Sequence, residues 1–146
     1  DWFRNTMMTE ERVDGGLADL VFITKAGQVT EIEIKVSLSD WTADRHKDKW
    51  AKPRPHVSRF FYAVPETLEA KIPPSWMLPD GAGILVVRED EFRDYVHETK
   101  AARRVRALPF EHSRIADIHR RAYFRFWRSE IRRLRRRFTD TRTRVA

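Results

Sequence analysis

The sequence predicts a mixed α/β fold: a central mixed sheet flanked by helices, with a long basic helix at the C-terminal end. Three observations carry this. Two strand-like runs, LADLVFIT (17–24) and VTEIEIKVS (29–37), flank a glycine-bearing turn, KAGQ. Beyond them, helix-like and strand-like segments alternate, as expected of a sheet covered by helices. Residues 111–138 then hold one continuous helical pattern.

Taken in order, residues 7–13 read as a short helix, with Thr9 as N-cap and Glu10 and Glu11 in its first turn. The DGG triplet at 14–16 breaks it. The runs 17–24 and 29–37 form a hairpin around Gly27. In the second run Ile32, Ile34 and Val36 share one face and Glu31, Glu33 and Lys35 the other. SDWTADRHKDKWA (39–51) reads as a helix capped by Ser39, with Asp40 in its first turn, and KPRP ends it. SRFFYAVP (58–65) is the next strand, ETLEAKI (66–72) a short helix, and ILVV (84–87) a short strand apolar on both faces. RDYVHETKAAR (93–103) is expected to pair back on that strand. In the long helix, Ile115, Ile118, Ala122, Phe126, Ile131, Leu134 and Phe138 recur at spacings of three to five.

A length of 146 residues fits a single domain, expected to comprise a core over about 9–110 and the basic helix over about 111–138. The 41% hydrophobic content supports a modest core. With no cysteine, disulfide frameworks, thiolate zinc sites and cysteine nucleophiles are excluded, and a reducing compartment fits. The longest apolar runs are far too short to span a bilayer. No secretory signal is recognisable, and a cytoplasmic location is expected. The net charge of +7 is uneven: residues 1–99 carry 13 Lys+Arg against 18 Asp+Glu, residues 100–146 carry 16 against 4. This asymmetry points to a polyanion as partner.

The chemistry centres on EIEIK (31–35). Residues two apart on a strand share a face, so Glu33 and Lys35 project together. Asp19 lies on the neighbouring strand of the hairpin. Two carboxylates and a backbone carbonyl, that of Ile34, make an oxygen-rich set that suits Mg2+. Such an ion polarises a phosphoryl oxygen and acidifies a bound water. A lysine beside it orients the water and offsets charge in the transition state. The plainer alternative is an exposed ion pair on an edge strand, with Asp19 capping a turn. Ser37 and Asp40 admit two roles: phosphate contact and orientation of Lys35, or simply the start of a helix that Trp41 packs down. His46, Lys47 and Lys49 follow on that helix as candidate phosphate contacts or as a solvated face. The histidines show no zinc-site spacing.

This arrangement resembles the PD-(D/E)XK nuclease superfamily: Asp19, thirteen intervening residues, then Glu33-Ile34-Lys35, with Ala18 where a proline commonly precedes the aspartate. Over roughly residues 15–87 the chain is similar to the MmcB-like DNA repair proteins of that superfamily, through ADLVFIT, EIEIKVSLSDWTADRHKDKW, RFFYAVPETL and AGILVV. The resemblance implies a restriction-endonuclease-like core and a metal-dependent DNA nuclease of bacterial or phage type. Its catalytic residues would be Asp19, Glu33 and Lys35, and Mg2+ or Mn2+ would be bound by Asp19, Glu33 and the Ile34 carbonyl. It further implies an acidic residue from the preceding helix, for which Glu10 and Glu11 are candidates and Asp14 a third.

HRRAYFRFWRSEIRRLRRR (119–137) interleaves arginines with rings, the composition of a nucleic-acid-binding surface. Arg120, Arg121, Arg125, Arg128 and Arg132, with Lys47 and Lys49, are expected to hold the DNA backbone. The rings are expected to face largely inward and the arginines outward. Attachment to an anionic membrane is the lesser reading, because the apolar stripe is needed to cover the sheet. Two functions follow: a small metal-dependent DNA nuclease acting in repair or recombination, or a DNA-binding accessory that cuts poorly or needs a protein partner to complete its site. Nothing in the sequence fixes an oligomeric state.

Overall fold

The computed structural model describes residues 5–45, 53–72, 78, 81–89 and 94–143. The chain divides into two compact units, Asp1–Phe110 and Glu111–Ala146. The first contains one six-stranded sheet whose strands stand in chain order: β1 (Asn5–Val13), β2 (Gly16–Thr24), β3 (Val29–Ile34), β4 (Val57–Pro65), β5 (Gly83–Glu89) and β6 (Asp94–Lys100). Helix α1 (Leu38–Arg45) lies between β3 and β4, and α2 (Glu66–Glu69) between β4 and β5. The β3–β4 and β4–β5 pairings are parallel and the other three antiparallel, so the sheet is mixed, as the sequence predicts.

The first element departs from expectation. Residues 7–13 belong to a strand, not a helix. The cause is the two-residue link Asp14-Gly15, whose φ values of 49° and 82° are both positive. That is the requirement of a type I′ hairpin turn, and Asx-Gly is its preferred sequence. The turn closes the Val13↔Gly16 pair, so the preceding residues run back along β2 and bond to it. Asp14 is held there by His56, whose backbone N–H donates to Oδ2 at 2.9 Å while ring Nδ1 lies 2.5 Å from Oδ1.

The segment read as helix over 39–51 begins as α1, and its second half, residues 46–51, lies outside the described residues. Its N-cap is Ser37 and not Ser39: Ser37 Oγ accepts the Asp40 N–H at 3.1 Å, the geometry that satisfies an otherwise orphaned first-turn donor. The helix is anchored by Trp41, whose ring lies 4.6 Å from that of Tyr62. Tyr62 in turn meets Phe60 edge to face at 4.9 Å. These residues join Val64, Leu68, Leu78, Ala82, Ile84 and Val86 in the buried core. Truncating a core ring such as Trp41 to alanine costs about 3–5 kcal/mol in comparable cores.

After β6 the chain returns along the sheet as a strap. Arg103, Val105, Leu108 and Phe110 donate their backbone N–H groups to the carbonyls of Gly81, Ser58, Pro55 and Gly27 at 2.8, 2.9, 2.7 and 2.9 Å. Gly27 has φ +73°, and a Cβ there would lie 2.4 Å from the Phe110 carbonyl oxygen, so this turn requires glycine on both counts. Arg88 reaches Glu66 at 3.2 Å and Glu69 at 3.6 Å, tying α2 to β5. The hydrogen bond with Tyr95, then Glu66 and Glu69, raises the Arg88 pKa above its already high ordinary value.

The second unit is α3 (His112–Thr143). Its sequence holds eleven arginines against three carboxylates. The rings do not turn inward as expected: Tyr123 is 60% exposed, Phe124 56%, Phe126 58% and Trp127 46%. The apolar stripe read from the sequence contains a five-residue step, Phe126 to Ile131, and such a step turns about 140° off the stripe at 3.6 residues per turn. Only Ile115, Ile118, Ala122 and Phe126 share an edge by spacing. Tyr123, Phe124 and Trp127 fall outside it. No described helix is long and apolar enough to cross a membrane.

Candidate active site

The side-chain alternation of β3 runs opposite to simple amphipathic logic. Glu31, Glu33 and Lys35 are buried, whereas Ile34 and Val36 are exposed. The reason lies in the parallel pairing with β4: Glu31 stands level with Phe60 and Glu33 with Tyr62, the two rings that build the core beneath α1. The charges enter that face because each has a counter-charge. Glu31 Oε1 takes Arg54 Nη1 at 2.7 Å, and Glu33 Oε1 takes Lys35 Nζ at 3.1 Å. Lys35 Nζ also lies 3.9 Å from Asp40 Oδ1. Buried ions persist only when paired in this way.

Asp19 reaches the same place from β2. The antiparallel register ends at Leu20↔Ile32, and its next step brings Asp19 level with Glu33. There the ladder stops. The Lys35 N–H still bonds across to Ala63 of β4 at 2.9 Å, while the Ile34 N–H, directed to the other side, donates to Asp19 Oδ2 at 2.8 Å. The Asp19 carboxylate thus replaces a missing strand carbonyl. Asp19 is half-buried, and it stands level with Glu33, bonded to the Ile34 N–H, beside the Glu33–Lys35 pair at the C-terminal end of β3. The outer edges of strand C-termini are where open α/β sheets commonly bind ligands.

The acidic candidates from the N-terminal segment lie on a strand and no longer on a helix. Glu11 pairs with Ala18, beside Asp19 and not opposite it. Glu10 falls between the Thr9↔Leu20 and Glu11↔Ala18 pairs, at the level of Asp19, with φ 52°. Asp14 is taken by His56. Among the described residues no three acidic or histidine side chains converge as a metal-binding group. His46, Lys47 and Lys49 lie outside the described residues.

Sequence reasoning passed over one partner. Arg54, from the loop before β4, neutralises Glu31; no local pattern marks it, although E-x-E-x-K already announced three charges on one face. Asp40 was foreseen as an orienting group, and it ties the first turn of α1 to Lys35. Its Oδ2 accepts the Val36 N–H at 3.4 Å.

On α3, Arg120, Arg121, Arg125, Arg128 and Arg132 are all exposed. Arg120 pairs with Asp117 at 2.8 Å, and Arg132 Nε donates to the Arg128 carbonyl at 3.3 Å.

The family model described as DNA repair protein MmcB-like matches residues 4–141. A solved structure, the SPO1766 protein of unknown function from Silicibacter pomeroyi, superposes with a TM-score of 0.57 at 19% identity, covering 87% of this chain and 77% of that one. At that identity the likeness concerns the fold alone. No curated protein matches the chain.

Proposed function

The chain belongs to the MmcB-like DNA repair protein family, and on that premise we propose that it is a metal-dependent DNA nuclease of the PD-(D/E)XK kind, hydrolysing phosphodiester bonds in repair or recombination. One observation carries the reading: Asp19 and Glu33 stand level on neighbouring strands, with Lys35 bonded to Glu33 on the same buried face.

The donor chemistry fits Mg2+ or Mn2+. It consists of oxygens only, from Asp19, Glu33 and the Ile34 carbonyl, with Glu10 the best-placed addition. Asp19 spends Oδ2 on the Ile34 N–H, and Oδ1 has no partner among the described residues. Two carboxylates without a third match an ion that keeps most of its waters. Bound there, the ion would supply Lewis acidity and an acidified water at neutral pH. The protein's own part is positional. Lys35, held between Glu33 and Asp40, offers a fixed positive charge where a phosphodiester accumulates negative charge. Asp40 is a positioning residue for that ammonium.

A second reading rests on the enclosure of Lys35, whose side chain is 4% exposed. A lysine so enclosed serves as well as a structural counter-ion, in a DNA-binding accessory that needs a partner before it cuts. The test is cleavage of labelled single-stranded, duplex and branched DNA with Mg2+, Mn2+ or EDTA, for wild type and Glu33→Gln. Metal-dependent cutting that Glu33→Gln abolishes supports the nuclease. DNA binding without cutting under every condition overturns it in favour of the accessory.

A further inference from the structure

We propose that α3 is a single-strand binding surface, its rings stacking on unpaired bases while a parallel row of arginines follows the phosphates. The proposal deepens the reading above and rests on it for DNA as the polyanion.

The argument begins with exposure. Tyr123, Phe124, Phe126 and Trp127 are 60%, 56%, 58% and 46% exposed, and Ile131 46%. A cluster of large rings turned to solvent is unfavourable unless something covers it. The rings meet edge to face, with centroids 5.9 Å apart for Tyr123–Phe124, 6.1 Å for Tyr123–Trp127 and 5.8 Å for Phe126–Trp127. They do not stack on each other, so flat faces remain for a guest.

Helical spacing then sorts the surface into two tracks. Tyr123, Phe124, Trp127 and Ile131 share one stripe, and Arg121, Arg125, Arg128 and Arg132 form the adjacent one, each recurring at three and four residues. The arginine track is roughly 16 Å long at 1.5 Å per residue. Rings beside cations are what a single strand needs, since every base has a face to stack and every nucleotide a phosphate.

Charge selects among the possible occupants. Eleven arginines against three carboxylates in α3 repel a second copy of the same helix and attract a polyanion. A duplex would engage the arginines and leave the rings idle, because its bases are already stacked on one another. Single strands use both tracks.

The test is fluorescence anisotropy with a labelled oligonucleotide, single-stranded or annealed, run in EDTA so that it reads binding alone. The full chain is compared with Tyr123→Ala/Trp127→Ala and with Tyr123→Phe/Trp127→Phe. The alanine pair is expected to lose about tenfold or more in single-strand affinity, with duplex affinity changed less than about twofold, and the phenylalanine pair to keep both. The proposal is overturned if the alanine pair binds single strands like wild type, or weakens single strands and duplex equally. It is equally overturned if the alanine pair dissociates a dimer in sedimentation while DNA binding is unchanged. A chain that holds single strands through its rings but never cuts refutes the nuclease and leaves this surface standing. If wild type binds no DNA, both fall.

Discussion

Lys35 Nζ lies 3.1 Å from Glu33 Oε1, with side chains only 4% and 7% exposed. Two residues apart on one strand, they neutralise each other on the face that also carries the aromatic core. Removing one partner strands the other. Lys35→Met is therefore expected to destabilise the fold by about 3–5 kcal/mol, and Glu33→Gln/Lys35→Met to recover most of that loss. Urea midpoints of the two variants decide it; equal midpoints would show that the pair is not coupled.

Asp19 has two separable tasks. As an acceptor for the Ile34 N–H it is replaceable by asparagine, whose amide oxygen offers the same bond. As a charged ligand it is not. Asp19→Asn should keep stability within about 1 kcal/mol of wild type, while metal-dependent cleavage falls at least about a hundredfold, as for a lost group in general acid–base or metal catalysis. Thermal melting and single-turnover cleavage on the same preparation separate the tasks.

At Gly27, alanine must adopt φ +73° and meet the Phe110 carbonyl. Gly27→Ala is expected to lower stability by about 1–3 kcal/mol, the range for a strained backbone position. Gly15→Ala, in a left-handed turn with open space around its Cβ position, should cost less. The difference between the two melting temperatures measures the strap contact apart from the backbone strain.

Arginines that hold phosphates leave a signature in salt. Arg125→Gln/Arg128→Gln should weaken DNA binding on every sequence and reduce the slope of log affinity against log salt by about 2. A titration at several salt concentrations reads this directly, and an unchanged slope removes these two residues from the interface.

Much of this molecule is legible in its sequence. The β2–β3 hairpin follows from periodicity and turn residues, and the mixed sheet from the order of strands and helices. The shared face of Glu33 and Lys35 follows from strand spacing, because a period of two places side chains without any tertiary information. What stayed hidden was decided by competition. Thr9-Glu10-Glu11 carries good helix-start chemistry, yet Asp14-Gly15 makes a tight reversal and the neighbouring strand claims the backbone hydrogen bonds. Ile32, Ile34 and Val36 look like the core side of β3; only the pairing with Phe60 and Tyr62 shows that the charged side is the covered one. The rings of α3 were expected to face inward, yet by spacing only Phe126 of the four lies on the stripe with Ile115, Ile118 and Ala122, and all four rings are exposed.

The strap from β6 back to Gly27 has a bearing on how the chain folds. Every strand neighbours its predecessor in sequence, so the sheet can grow pair by pair, through tight turns at β1–β2 and β2–β3 and through crossovers carrying α1 and α2 at the two parallel pairs. The strap is the exception: its bonds to Pro55, Ser58 and Gly27 join parts of the chain far apart in sequence and close only once β2 to β5 are aligned. Its placement is that of a latch, expected to form last and open first. Weakening it should therefore speed unfolding while leaving the folding rate nearly untouched.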